Sequence, residues 1–104
     1  MPDRYRILIS KKVTRDLQSI FDYISNDSEQ NAALMVERIL GAIEHLKIFP
    51  HHNVLEGQQP KLKHPVRSLP IQSYLVFFRV IEEHQIVRIL RVRHGAMRRL
   101  KRFD

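Results

Sequence analysis

The 104-residue chain contains no cysteine, which excludes disulfide bridges, cysteine-ligated metal centres and thiol nucleophiles. Its three glycines lie far apart, and the sequence has no P-loop, no dinucleotide-binding glycine motif and no Gly-x-Ser-x-Gly motif. No apolar run approaches the roughly 20 residues that span a bilayer, and the first residues lack the pattern of a secretory signal. These absences argue against nucleotide hydrolysis, serine hydrolase chemistry and a membrane location, and they favour a cytoplasmic protein.

Positive charge is concentrated in the second part of the chain. The net charge is +7, from 18 Lys and Arg against 11 Asp and Glu. Residues 1–60 carry 7 basic and 8 acidic side chains, whereas residues 61–104 carry 11 basic and 3 acidic ones. This asymmetry indicates an anionic partner, which could be nucleic acid, an acidic protein segment or a membrane surface; the simpler alternative is a solvated basic surface.

The first half of the sequence predicts one strand and two helices. Arg4 to Ser10 alternates like a half-buried strand, and Ser10 then occupies a helix N-cap position. Apolar residues at spacings of three and four predict an amphipathic helix from about Lys11 to Ser25. After the polar break Asn26 to Ser28, a second helix runs from Glu29 until Pro50 ends it. The short connection predicts an antiparallel helical hairpin.

The second half predicts a loop and three strands. Residues His51 to Pro65 have little periodicity and indicate a surface loop. The expected strands are Val66 to Leu69, which Pro70 closes, Tyr74 to Ile81, and Ile86 to Val92. The order β-α-α-β-β-β predicts one α+β domain over residues 1–104, with the helical hairpin packed on one face of a mainly antiparallel sheet.

A metal centre is weakly supported. His51, His52 and Glu56 lie close together in the predicted loop, but their spacing matches neither a metalloprotease helix nor a zinc finger. We therefore expect no metal and no cofactor.

Basic residues recur along the predicted C-terminal strands, and strict alternation divides the last strand between two faces. One face then carries Val87, Ile89, Arg91 and Arg93, and the other carries Ile86, Arg88, Leu90 and Val92. Arg91, Arg93 and the tail arginines are the better candidates for binding an anionic partner, because clustered guanidinium groups repel one another until an anion neutralises them.

Two further arginines have a structural alternative. An arginine in a core-facing row needs a carboxylate or carbonyl partner. Arg79 or Arg88 is therefore either free for a binding partner or ion-paired with a helix residue. The candidate helix carboxylates are Asp16, Asp22 and Glu44.

An ordered set of segments resembles the ParE/RelE superfamily, the toxin components of bacterial type II toxin–antitoxin modules, over nearly the full length. The segments are Ser10, Asp16-Leu17, Ile20 and Tyr23-Ile24, then Ala42-Ile43, Leu46 and Phe49-Pro50, then Val66 to Leu69, Tyr74 to Val80 and Ile89 to Gly95. The resemblance implies the RelE/ParE-like fold, with the same order of elements as above. It also implies a plasmid-stabilisation type of toxin and a cognate antitoxin whose disordered segment, acidic and apolar, folds on binding.

The RelE-like branch of this superfamily cuts messenger RNA on the ribosome with basic residues and a late Tyr or His. By resemblance, Arg67 matches the first strand cation, but the positions of two further cations fall on Leu69 and Leu75. The late tyrosine has no clear counterpart, since Phe103 cannot transfer a proton. A ribosome-dependent endonuclease would therefore depend on His94, Arg67 and Arg91.

The ParE-like branch inhibits DNA gyrase by binding and is not a nuclease, and the sequence fits this branch better. The resemblance then implies target binding by the last strand and tail, at Arg91, Arg93, Arg98 and Arg99. It implies antitoxin binding at Arg67, Arg79 and Arg88. A third interpretation is a degenerate member that binds antitoxin and DNA but no longer inhibits a target.

Overall fold

Two helices pack on one face of a five-stranded mixed sheet in the computed structural model of the chain, which describes residues 4–48, 50–52, 54–55 and 63–97. The helices are α1 (Lys11–Ser25) and α2 (Glu29–His45), and the strands are β1 (Arg6–Ile9), β2 (Val54–Leu55), β3 (Val66–Ile71), β4 (Tyr74–Ile81) and β5 (Ile86–His94). Across the described ranges, neither helix has the length and hydropathy to cross a bilayer.

Side chains cap the beginnings of both helices. The hydroxyl of Ser10 accepts a hydrogen bond from the amide of Val13 at 3.4 Å, and that of Ser28 accepts one from Asn31 at 3.1 Å. Each cap satisfies an amide that the first helical turn leaves without a partner. Both helix starts and the end of α1 at Ser25 agree with the prediction, and α2 ends at His45, ahead of Pro50.

The strand order across the sheet is β1-β5-β4-β3-β2. β1 lies parallel to β5, and every other neighbouring pair is antiparallel. The helical hairpin follows β1 in the sequence. The first and last strands of the chain lie side by side in the sheet. The predicted α+β arrangement is confirmed.

Several strand bounds differ from the prediction, and β1 is shorter, at Arg6–Ile9. β3 continues through Pro70 to Ile71, and β5 extends to His94. Pro70 lies outside the paired part of β3 on the side of β2, because within the described residues β2 pairs with Arg67 and Ser68. The amide that proline lacks is therefore not needed for that described pairing. The predicted loop His51 to Pro65 contains the short strand β2.

Both faces of the sheet bury apolar side chains. The side that carries the helices, here the helix face, holds the larger cluster, which joins α1 and α2 to residues such as Phe78. The opposite side, here the second face, holds a smaller cluster whose members are at most 8% exposed: Val66, Leu75, Phe77 and Leu90. The sheet therefore has an apolar layer on each of its faces.

Candidate functional site: the basic residues of the sheet

The most specific polar contact of the sheet joins β5 to α1. Arg91 donates from Nε and Nη2 to the two carboxylate oxygens of Asp16, at 2.8 and 2.9 Å. The Val92 amide donates to the same carboxylate at 2.9 Å. The Asp16 and Arg91 side chains are only 12% and 23% exposed, and the hydrogen bonds to Asp16 raise the pKa of Arg91. Arg91, a candidate for target binding, is thus engaged within the fold.

The end of β1 explains why a helix carboxylate bonds to β5. β1 pairs with β5 as far as Ile9, opposite Ile89. Among the described residues, no strand continues along that edge of β5, and Asp16 takes the place of a ladder partner for the Val92 amide. The β4–β5 register also shifts here, with Leu90 as the extra residue of a β-bulge.

This bulge makes the predicted alternation of β5 wrong. Leu90 belongs to the cluster on the second face, whereas Val92 belongs with Val87 to the cluster on the helix face. Arg93 pairs with Leu75, and cross-strand partners share a face, so Arg93 lies on the second face. The extra residue reverses the alternation of the side chains from Val92 onwards.

Arg79 and Arg88 also lie on the second face. They are directly opposite each other in the register of β4 and β5. The interpretation that one of them is ion-paired with a helix residue is wrong, because the helices pack on the opposite face and no ion pair of the described residues includes either arginine. Asp16 binds Arg91, Asp22 accepts a hydrogen bond from Gln18, and Glu44 binds Lys47.

Arg67 lies apart from these two arginines. Its neighbours Val66 and Ser68 pair with Arg79 and Phe77 on the second face, so alternation places Arg67 on the helix face. Its Nη1 donates to the carbonyl oxygen of His51 at 3.3 Å. The structure therefore does not bring the three candidate antitoxin-binding arginines together.

A cleft of about 290 Å³ beside Arg67 contains a network around Glu82. Glu82 accepts a hydrogen bond from the Tyr5 hydroxyl, and its other oxygen lies 2.7 Å from Nε2 of His51. The hydrogen bond from Tyr5, followed by that from His51, lowers the pKa of Glu82. This network joins the beginning of β1 to the segment that follows α2.

Glu83 forms a second network in the same cleft. Its carboxylate lies 2.9 Å from Nζ of Lys63 and 2.8 Å from Nε2 of His64. Hydrogen bonds from Lys63, from its own backbone and from His64 hold the pKa of Glu83 at about 2. These contacts fasten the chain ahead of β3 to the β4–β5 turn. Nothing in the separation of these residues along the sequence signals either network.

The histidines of the predicted loop do not form a metal centre with described residues. Within the described ranges, no group of three His, Cys, Asp or Glu side chains could hold a metal ion. His51 is instead engaged by Glu82, and Glu56 lies outside the described residues. That the protein functions without a metal stays a prediction.

His94 ends β5 and makes local contacts. Its Nδ1 accepts a hydrogen bond from the amide of Ala96 at 3.1 Å. The ring packs edge to face against Tyr74, with the ring centroids 5.3 Å apart. Burial, followed by the proximity of Tyr23, raises the pKa of Tyr74. The predicted tail residues Arg98, Arg99 and Phe103 lie outside the described residues.

An apolar groove follows the outer edge of β1. It has a volume of about 580 Å³ and lies between β1 and α2. Ile9 and Leu40 line it and are 43% and 41% exposed, and Arg4 also lines it. Leu40 is thus an apolar side chain of α2 that the groove leaves accessible.

Comparison with known proteins finds a family model that matches most of the chain. Residues 7–99 match the family model described as the ParE toxin of the type II toxin–antitoxin system parDE. A search of curated proteins finds no significant match.

Solved structures with a similar fold include a chain of the chromosomal ParDE toxin–antitoxin system from P. aeruginosa, at 21% identity and a TM-score of 0.70, covering 88% of this chain and 96% of that one. A chain of the RelBE2 toxin–antitoxin complex from Mycobacterium tuberculosis has 23% identity and a TM-score of 0.59, with coverages of 88% and 92%. A chain of the archaeal RelE–RelB complex from Pyrococcus horikoshii OT3 has 18% identity and a TM-score of 0.66, with coverages of 90% and 98%. At these identities the likeness shows the fold alone.

Proposed function

Since the chain belongs to the ParE toxin family of type II toxin–antitoxin systems, we propose that it inhibits DNA gyrase by binding and that a cognate antitoxin neutralises it. The family match over residues 7–99 is the observation that carries this proposal. Toxins of this branch need a binding surface and no catalytic group, and the exposed basic residues of the sheet meet that need.

The contacts of the candidate nuclease residues support this choice over mRNA cleavage. Arg91 is committed to Asp16, and Arg67 donates to the His51 carbonyl. Leu69 and Leu75 stand where the nuclease branch would have cations, and both pack against the apolar clusters. A cleavage site would therefore lack much of the positive charge that stabilises a phosphorane-like transition state.

His94 is poorly arranged to act as a general acid. An imidazole that delivers a proton must first be protonated on both nitrogens. The Nδ1 of His94 accepts a hydrogen bond from the Ala96 amide, and a proton on Nδ1 would break that hydrogen bond. The geometry therefore favours a local structural role for His94.

An antitoxin segment of acidic and apolar composition suits the groove beside β1. Ile9 and Leu40 offer apolar contact, and Arg4, which also lines the groove, carries positive charge. A segment that folds on binding can add to an exposed strand edge and bury alternate side chains. The three similar structures come from toxin–antitoxin systems, which supports an antitoxin as a partner.

A gyrase supercoiling assay tests the proposal. Purified protein added to gyrase, relaxed plasmid and ATP is expected to reduce supercoiling and, after denaturation of the enzyme, to leave linear DNA from the trapped cleavage complex. Arg93→Gln is expected to weaken the effect, because Arg93 lies near the exposed end of β5. Arg15→Gln, on the exposed side of α1, is the matched loss of one positive charge and should retain inhibition.

A translating ribosome extract with primer-extension readout provides the opposing test. Cleavage of message at the ribosome, together with unchanged supercoiling, would contradict the proposal. Inhibition that is unaffected by Arg93→Gln would remove this arginine from the target-binding surface while leaving gyrase as the target.

A further inference from the structure

Two arginines face each other across the middle of the second face. The register aligns one residue from each of four strands in a row that runs Leu8, Arg88, Arg79 and Val66. Directly opposed side chains of an antiparallel pair have Cβ atoms about 5 Å apart, and like charges at that position destabilise the sheet. A pair of this kind is explained when an anion binds between the two guanidinium groups.

The described part of the chain supplies no such anion. Its ion pairs engage Arg91, lysines and histidines, and its carboxylates near the sheet are already bound elsewhere. The Nε of Arg79 is buried and has no hydrogen-bond partner among the described residues. A buried donor without an acceptor is unfavourable, and an incoming carboxylate or phosphate oxygen would satisfy it.

The surroundings of the pair distinguish a carboxylate from a phosphate. Leu8, next to Arg88 in the row, is 46% exposed, and Ile81 and Ile86 are half-buried beside the pair. Proteins that bind single-stranded nucleic acid add exposed aromatic rings on which bases stack. Among the described residues, the aromatic side chain of this face is that of Phe77, and it is fully buried and not available for stacking. The surface therefore suits an acidic side chain with apolar neighbours.

We propose that Arg79 and Arg88 together bind one carboxylate of a protein partner, and that an apolar side chain next to that carboxylate packs on Leu8. The partner segment is thus acidic and apolar. The proposed function requires such a segment of the antitoxin, and in that respect the inference rests on the proposed function. The guanidinium fork of each arginine matches the two oxygens of a carboxylate, and such charge-assisted hydrogen bonds are among the stronger ones. This site is separate from the groove beside β1, because that groove lies on the helix side of the sheet.

A binding experiment with defined probes tests the inference. The probe is a short fluorescein-labelled peptide of alternating glutamate and leucine, followed by fluorescence anisotropy with the purified full chain. A peptide with glutamine in place of glutamate, and a single-stranded oligodeoxynucleotide of equal charge, serve as comparison ligands. Arg38→Gln on the exposed side of α2 is the control for the loss of one positive charge.

The glutamate peptide is expected to bind more tightly than either comparison ligand. Arg79→Gln and Arg88→Gln should each weaken it by roughly tenfold or more, the size expected for lost charge-assisted hydrogen bonds. Leu8→Ser should weaken binding of the glutamate peptide and leave binding of the oligonucleotide unchanged. Arg38→Gln should leave binding of the peptide unchanged. Circular dichroism should show both arginine variants folded, since each relieves repulsion between opposed like charges.

Two results would overturn the inference. In one, Arg88→Gln leaves the affinity for the glutamate peptide unchanged. In the other, the oligonucleotide binds more tightly than the peptide and loses that affinity in Arg88→Gln, which would identify a phosphodiester site. Supercoiling is scored separately with the unaltered chain, so that failure of this site and failure of gyrase inhibition remain distinguishable.

Discussion

Replacement of Asp16 by alanine is expected to destabilise the protein more than replacement of Asp22, the other carboxylate of α1. The carboxylate accepts two hydrogen bonds from Arg91 and one from the Val92 amide, and its side chain is 12% exposed. Without it, a half-buried guanidinium and an edge amide of β5 both lose their acceptor. The contact between α1 and the bulged part of β5 is then lost.

The magnitude follows from the burial of the two partners. Removal of one member of a fully buried ion pair costs about 3–5 kcal/mol. Arg91 is 23% exposed and can reach water in part, so we expect about 3 kcal/mol of lost unfolding free energy for Asp16→Ala. Asp16→Asn keeps an oxygen for the Val92 amide and is expected to cost about 1.5 kcal/mol. Arg91→Ala should lie between these values.

Urea unfolding followed by circular dichroism measures these losses, and the double variant Asp16→Ala with Arg91→Ala completes the cycle. The double loss should be smaller than the sum of the single losses, because the two residues share one contact. Asp22→Ala, whose carboxylate is exposed and accepts a hydrogen bond from Gln18, should change stability by no more than about 0.5 kcal/mol. The reasoning is refuted if Asp16→Ala matches Asp22→Ala, or if the losses at Asp16 and Arg91 are additive.

Two further predictions concern a helix glycine and an acidic turn. Gly41 lies exposed within α2, and a Cβ added there would meet no described atom within 4 Å beyond the helix's own backbone. Gly41→Ala should therefore raise the free energy of unfolding, measured in urea, by about 0.5–1 kcal/mol. A lowered urea midpoint would contradict this expectation. Gly95→Ala is the contrast, because its Cβ would lie 3.3 Å from the Ser73 carbonyl oxygen, and it should give no gain. The pKa of Glu83 lies at about 2 instead of 4.5, so its stabilising contribution is complete above pH 4.5 and is lost as the pH falls towards 2. The urea midpoint of Glu83→Gln should therefore decline less than that of the wild type over this range, with Glu37→Gln, the loss of an exposed carboxylate on α2, as the matched control.

Local signals were sufficient for the helices and for β4. The capping serines and the apolar spacing of α1 lie within a few residues of one another, so the sequence contains the whole cause of that helix. The sequence predicts β5 as a strand, but strict alternation places the side chains that follow Leu90 on the wrong faces. The bulge at Leu90 depends on the pairing with β4 and on the end of β1, and neither is visible in the sequence of β5 itself.

The candidate site was predictable in composition and not in geometry. The excess of positive charge after residue 60 is a property of the sequence, and it predicted an anionic partner. Which arginine is engaged internally was not predictable, because Asp16 and Arg91 are 75 residues apart and meet only when α1 lies against β5. The sequence admitted a helix carboxylate for Arg79 or Arg88, and the fold assigned it to Arg91.

By itself, the sequence determined the two helices, the four longer strands and the family to which the chain belongs, because each depends on residue type and local spacing. That the partner is anionic stays a prediction. The tertiary structure decided which basic residues remain available. One extra residue in β5 moved Arg93 to the second face, and the exposed edge of that strand drew Arg91 to Asp16. The β4–β5 register set Arg79 opposite Arg88 without a carboxylate from the described residues. Pairing between distant segments fixes these positions, and no local pattern encodes it.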